Sequence, residues 1–298
     1  MKQFPHDLFN GFVEIILSFQ LFLSSANTVN FKHYHKKMED IDPKKYIKGL
    51  TLQNSRESFI SESEREILSR DLTTTEIETQ TDVEQSFMND KSLVSFVSEV
   101  SDQRRQDVLH SVLLAQLAAN KKFPDEDQIK EWYGEFINVL SNIGWAMQSA
   151  SFTPFTSEGT TIEVDKAIID LVAAAVGGSA LVPLVTKTLD AIKGLSDTSG
   201  KFIAFEKNTH TATKGAFQIG IAKEVNNTVA LQLGTFLITS SDTIKQILFF
   251  KSSKSKTTLE FCSRVGTLDE AVYATIRDAV QAKLGLKATD FIAGIDLS

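Results

Sequence analysis

The stretch KGAFQIGIAKEVNNTVALQLGTFLIT (214–239) decides the fold, because its apolar residues recur with period two on both sides of a short polar turn. The pattern predicts two β-strands, at 214–224 and 229–239, and Asn226 and Asn227 suit a two-residue turn with positive φ. The resulting register predicts one face with Gln218, Gly220, Ala222, Leu231, Leu233 and Thr235, and a second with Phe217, Ile219, Ile221, Ala230, Gln232, Gly234 and Phe236. Neither face is polar, so both are expected to be covered.

Further elements are predicted on either side of this hairpin. Period-two runs at 201–207, 244–251 and 257–265 indicate more strands of an antiparallel meander. Helical spacing predicts a long helix or a broken pair over 91–123, a helix over 125–143, two buried helices within 165–195, and a C-terminal helix over 267–285. The predicted fold is therefore α/β, an antiparallel sheet meander covered by helices on both faces.

The N-terminal part of the chain has a different composition. Its apolar run at 8–26 has the outline of a signal peptide, but Glu14 and Gln20 interrupt it and weigh against a spanning helix. We favour a peripheral amphipathic helix or an upstream extension, with the true start at Met1, Met38 or Met88. Ser, Thr and Glu dominate up to residue 86 and indicate mostly disordered chain. The expected organisation is a mobile extension over 1–86 and one α/β domain over 87–298.

Charge and composition exclude some classes of function. The 298 residues carry a formal net charge of -7, whereas nucleic-acid binding requires a basic surface that releases counterions from phosphates. The pair His33 and His35 has a metal-like spacing, yet no cysteine or acidic residue lies close enough to complete a tetrahedral site. We therefore expect neither a nucleic-acid partner nor a metal.

The single cysteine, Cys262, lies in TLEFCSRVG (258–266), where strand alternation places it on the same face as Arg264. Two interpretations remain open. The thiol can be a small buried hydrophobe, or it can be a functional group whose thiolate form Arg264 favours. A Cys–His enzyme would use His110, one turn after Asp107, or His210 as its base. No known catalytic signature surrounds the cysteine.

Three features of the chain resemble the Erwinia virulence factor family, bacterial α/β proteins connected with persistence in insect hosts. They are VLHSVLLAQLAANKKF (108–123), EWYGEFINVLSNIGW (131–145) and a late single cysteine in a strand. The similarity covers roughly residues 90 to 290. It implies a palmitoyl chain joined as a thioester to the cysteine and buried in the fold. Carried onto this sequence, the lipid attachment position is Cys262. The resemblance implies no known enzymatic activity.

Such a lipid would need a slender apolar slot. Small residues that we expect to line it are Ala174, Gly177, Gly178, Ala216, Gly220, Ala230 and Gly234. The function expected from the resemblance is a bacterial virulence factor that acts on host tissue or membrane, carries covalent palmitate and has no turnover chemistry. It would be cytoplasmic in the producing bacterium, with membrane association or delivery to the host. The alternatives are an acyltransferase or thioesterase that uses Cys262 and His110, and a non-covalent fatty-acid carrier. Expected partners are a fatty acid or membrane lipid and an unidentified host target.

Overall fold

The computed structural model describes residues 42–54, 77–156, 159–175, 181–195 and 200–297. Its centre is the hairpin of β6 (Lys214–Val225) and β7 (Thr228–Ser240). Gly220 lies opposite Leu233 and Gln218 opposite Thr235, which is the register that the sequence predicts. Asn226 and Asn227 form the turn with φ values of 51° and 60°. The local pattern was thus sufficient to align two long strands.

The other strands are β1 (Gln85–Asn89), β2 (Ser92–Phe96), β3 (Trp145–Met147), β4 (Thr153–Pro154), β5 (Thr161–Glu163), β8 (Lys251–Ser253), β9 (Thr257–Leu268) and β10 (Ile292–Ile295). The main sheet has eight strands in the described part of the chain, in the order β10-β1-β2-β6-β7-β9-β3, with β4 paired to β9. Most pairs are antiparallel, but β2 and β6 run parallel. A separate pair joins β5 to β8.

Helices cover both faces of the sheet, and the predicted α/β class is confirmed. The helices are α1 (Pro43–Gly49), α2 (Asp102–Lys122), α3 (Ile129–Asn142), α4 (Val164–Ala175), α5 (Val182–Gly194), α6 (Gly200–Thr209), α7 (Glu270–Leu284) and α8 (Lys287–Phe291). One core lies under α2, α3 and α7, and a second lies under α4, α5 and α6. We call them the α3-side core and the α6-side core.

Three predicted elements differ from the observed ones. Residues 201–207 belong to helix α6, in which Phe202 and Phe205 are buried three positions apart. Residues 244–250 form turns that bury Ile244 and Ile247 without pairing to a strand. Residues 92–96 form strand β2 instead of the start of a helix. All five β2 side chains are buried, so its sequence lacks the alternation that marks a half-exposed strand.

The predicted boundary at residue 86 falls inside β1. Helix α1, from the predicted extension, lies against α7 and places Ile47 in the α3-side core. The apolar run at 8–26 lies outside the described residues. Within the described ranges, no helix is long and apolar enough to cross a membrane.

Candidate functional site

Cys262 lies in the middle of β9 and points into the α3-side core. Its side chain is buried, with 1% of its surface exposed, and Thr235 of β7 lies directly opposite it. The hydroxyl of Tyr133, from helix α3, lies 3.8 Å from the sulfur. The thiol is therefore enclosed between the sheet and one helix, with a polar group beside it.

Arg264 holds the Tyr133 hydroxyl in place. Its Nε donates to that hydroxyl at 3.0 Å, while Nη1 and Nη2 donate to the carbonyl oxygens of Gln148 and Ala150 at 2.8 and 2.6 Å. The guanidinium also lies 5.3 Å from the centre of the tyrosine ring. Since the hydroxyl accepts from Arg264, its own proton is free to point at Cys262. Arg264 thus contacts the hydroxyl that neighbours the sulfur of Cys262.

Burial raises the pKa of Tyr133, and the neighbouring Cys262 raises it further. The phenol therefore keeps its proton throughout the ordinary pH range. A protonated hydroxyl beside the sulfur can donate a hydrogen bond to a sulfur or carbonyl oxygen at this place, and it does not act as a base.

A row of buried polar side chains crosses the sheet and ends at Cys262. Ser92, Gln218, Thr235 and Cys262 occupy directly opposed positions on β2, β6, β7 and β9. Ser92 Oγ donates to Gln218 Oε1 at 2.8 Å, and Gln218 Nε2 donates to Thr235 Oγ1 at 3.4 Å. The sequence places Gln218 opposite Thr235. It does not reveal Ser92, because β2 was not predicted as a strand.

A small hollow of about 10 Å³ lies above this row, under α3. Its walls include Ile129, Trp132, Tyr133, Ala216, Gln218, Thr235 and Leu237. It adjoins a larger cleft of about 370 Å³ between the start of α3 and the ends of β6 and β7, which shares Ile129, Trp132, Ala216 and Leu237 with it. Two exposed ion pairs join the walls of the cleft, Lys214 with Asp127 and Lys130 with Glu260. Tyr133 and Thr235, which neighbour Cys262, thus line a hollow, and several of its other wall residues also border the cleft.

The predicted slot residues divide between the two faces of the sheet. Ala216 lines both the hollow and the cleft. Gly220 lies on the same face, but Leu231 fills the space beside it, since a Cβ atom there would lie 3.2 Å from Leu231 Cδ1.

The other predicted slot residues lie elsewhere. A Cβ atom on Gly234 would meet the rings of Phe261 and Phe236 in the α6-side core, and Ala230 shares the orientation of Gly234 along β7. Ala174 is exposed on α4. Gly177 and Gly178 lie outside the described residues. The described members therefore do not line one common slot, and Ala216 is the one that lies at the hollow.

The structure does not bring His110 to the thiol. Among the described residues, Tyr133 is the hydrogen-bonding side chain at Cys262. Burial lowers the pKa of His110, and Asp107 opposes that shift. The carboxylate of Asp107 is held by Arg277, with Nε and Nη2 at 2.8 and 2.9 Å from its two oxygens. The predicted Asp–His–Cys arrangement is not assembled.

His210 lines the cleft with both ring nitrogens engaged. Nε2 lies 2.8 Å from Glu206 Oε2, and Nδ1 lies 2.8 Å from the carbonyl oxygen of Thr211. A carbonyl oxygen only accepts hydrogen bonds, so Nδ1 carries a proton. A second proton lies between Nε2 and the Glu206 carboxylate. The ring has no free nitrogen to serve as a base. In the described part of the chain, no three His, Cys, Asp or Glu residues cluster as a metal site.

No family model and no curated protein matches the chain. Among solved structures, it is similar to a delta-endotoxin (12% identity, TM-score 0.37, 65% of this chain and 87% of the other). It is also similar to the activated Cyt2Ba monomer from Bacillus thuringiensis subsp. israelensis (15%, 0.28, 46% and 78%). A third similar structure is the Evf virulence factor (11%, 0.32, 79% and 92%). These are distant likenesses of overall structure, and no residue role follows from them.

Proposed function

We propose that the protein carries a fatty acyl chain as a thioester on Cys262 and acts as a bacterial virulence factor on host tissue or membrane. The observation that carries the lipid part is the position of the thiol, buried beside the hydroxyl of Tyr133, whose side chain also lines the hollow. The virulence part follows the family resemblance of the sequence.

The surroundings of Cys262 suit a stable thioester. A thioester hydrolyses when water and a base reach its carbonyl, and here the sulfur is buried with no imidazole beside it in the described part of the chain. The Tyr133 hydroxyl, oriented by Arg264, offers a hydrogen bond to the thioester oxygen or sulfur. An enclosed ester without a general base favours storage over turnover, which separates this proposal from the acyltransferase and thioesterase alternatives.

The cleft is large enough for much of an acyl chain. If each methylene occupies roughly the 30 Å³ that one water takes in the liquid, about a dozen of them fill a volume of 370 Å³. Each buried methylene contributes about 0.8 kcal/mol. The hollow is far smaller, so the chain enters only if the side chains of Ile129 or Tyr133 shift. The bound acyl group is expected to replace those contacts and to stabilise the fold.

The test is the intact mass of protein purified from its native host, before and after neutral hydroxylamine, which cleaves thioesters. We expect one added acyl group on the wild type, removed by hydroxylamine and missing from Cys262→Ser. An acyl group that turns over on added substrate would support the enzyme alternative. Fatty acid that solvent extracts from Cys262→Ser would support the carrier. Unmodified wild-type protein would refute the proposal.

The virulence role is tested in the host. Bacteria that produce Cys262→Ser are expected to colonise less well than bacteria with the wild-type protein at equal protein abundance. Equal colonisation by the two strains would remove the acyl group from the biological function.

A further inference from the structure

Lys91 lies where three spaces meet. It lines the hollow, the cleft and an outer cavity of about 660 Å³ beside the C-terminal end of α2. Polar side chains form part of the wall of the outer cavity, among them the amides of Asn54, Asn120 and Asn208. The hollow, by contrast, is bordered largely by apolar and aromatic side chains. A ligand that touches Lys91 can therefore place a polar end in the outer cavity and an apolar end against the apolar side chains that the cleft shares with the hollow.

The ammonium group of Lys91 lies over an aromatic ring and contacts no carboxylate among the described residues. Its Nζ lies 5.3 Å from the centre of the Trp132 ring, and it takes part in none of the ion pairs of the described residues. Its backbone N–H donates to Gln116 at 2.9 Å, which fixes the start of the side chain. Burial lowers the pKa of Lys91, while the more distant charges of Asp90 and Glu126 oppose that shift. A bound anion would offset the energetic cost of burying the charge of Lys91.

The outer cavity gathers several cationic side chains although the chain as a whole is acidic. Lys91, Lys121, Lys207 and the His210 ring line it together with two carboxylates, those of Asp90 and Glu126. The two oxygens of Asp90 accept from Asn208 and Asn120, both at 2.8 Å, so that its charge is partly satisfied by amides. The lysine ammonium groups that line this cavity are donors of the kind that bind phosphate groups.

We infer that Lys91 and the outer cavity bind the phosphate-bearing end of the acyl donor, a long-chain fatty acyl thioester of a phosphorylated thiol. The inference rests on the proposed function and names its substrate. The donor's polar end would lie in the outer cavity, its thioester at the hollow, and its acyl chain in the cleft.

The transfer balances without another reactant. The sulfur of Cys262 attacks the donor's carbonyl carbon, the carbon–sulfur bond of the donor breaks, and the departing thiolate takes the proton that the Cys262 thiol gives up. One thioester is exchanged for another. Nothing is oxidised or reduced, and no water is consumed.

The experiment measures binding without chemistry, by calorimetric titration of Cys262→Ser protein with palmitoyl-CoA, CoA and free palmitate. Adding Lys91→Met is expected to weaken palmitoyl-CoA and CoA binding about tenfold or more, as for the loss of a charge-assisted contact. Lys245→Met, which removes an exposed lysine outside these cavities, is expected to leave binding unchanged. Thermal unfolding of each variant shows that the fold is kept.

The outcomes separate this inference from the proposed function. Palmitoyl-CoA binding that is unaffected by Lys91→Met overturns the inference. Binding of free palmitate alone, weakened by Lys91→Met, overturns it as well, because the anion would then be a carboxylate. If palmitoyl-CoA binds through Lys91 but Cys262 is never acylated, the binding site at Lys91 is upheld and the proposed thioester on Cys262 is refuted.

Discussion

The replacement Ala216→Leu tests whether the acyl chain runs through the hollow. Ala216 lines both the hollow and the cleft. Three added carbons occupy about 90 Å³, if each takes roughly the volume of a water. That is far more than the hollow's 10 Å³ and far less than the cleft's 370 Å³. The larger side chain therefore closes the hollow and still has room in the cleft, so we expect acylation to be lost while the free energy of unfolding changes by no more than about 1 kcal/mol.

A matched control is Gly220→Val, because Gly220 lies on the same face of β6 as Ala216, four residues further along the strand. A Cβ atom there would lie 3.2 Å from Leu231 Cδ1 and 3.6 Å from Val94 Cγ2, so the added side chain overpacks the core. We expect a loss of about 1 to 3 kcal/mol in stability with acylation retained. The acylated fraction is read from intact mass and stability from urea unfolding of hydroxylamine-treated protein. Full acylation of Ala216→Leu would refute the path through the hollow.

Two further predictions concern the polar groups around the site. Tyr133→Phe keeps the ring but leaves Arg264 Nε without its acceptor, so we expect a loss of about 1 to 3 kcal/mol in urea unfolding and slower acylation of Cys262. Unchanged values for both would show that the hydroxyl plays no part. Burial lowers the pKa of His210, but the hydrogen bonds to Glu206 and Thr211 and the charges of Glu206 and Glu126 together outweigh burial and raise the pKa above its usual value of 6.5. The ion pair of His210 with Glu206 therefore contributes its full stabilisation below pH 6.5. This contribution is lost as the pH rises through the raised pKa of His210. His210→Gln is expected to remove this dependence from unfolding measured across that range, and a wild type whose stability is no greater below it would contradict the assignment.

The parts of the fold that the sequence predicts are those determined by neighbouring residues. The β6–β7 register follows from alternation around Asn226 and Asn227, and both lie in one local hairpin. Strand β2 was missed because all its side chains are buried and its parallel partner lies more than a hundred residues further along the chain. The Phe202 and Phe205 spacing marks α6 as a helix only once its buried face is known.

The functional site also has features that the sequence predicts and features that depend on packing between distant segments. Cys262 is identifiable because it is the single thiol, and strand alternation correctly places Arg264 on its face. Tyr133 is buried on α3, within the helix that the sequence predicts over 125–143. Its contact with Cys262 depends on how α3 packs over β9, across 129 residues of sequence. The hollow likewise depends on which side chains fill the space beside each small residue. The positions of small residues in the sequence do not predict which side chains these are.

The most direct test of the account is the mass of the proteolytic peptide that contains Cys262, isolated from protein made by its native host. The account predicts that this peptide carries one long-chain acyl group, which neutral hydroxylamine releases, and that no other peptide carries it. A peptide with a free thiol, from wild-type protein that is active in the host, would contradict the account and leave Cys262 as a small buried hydrophobe.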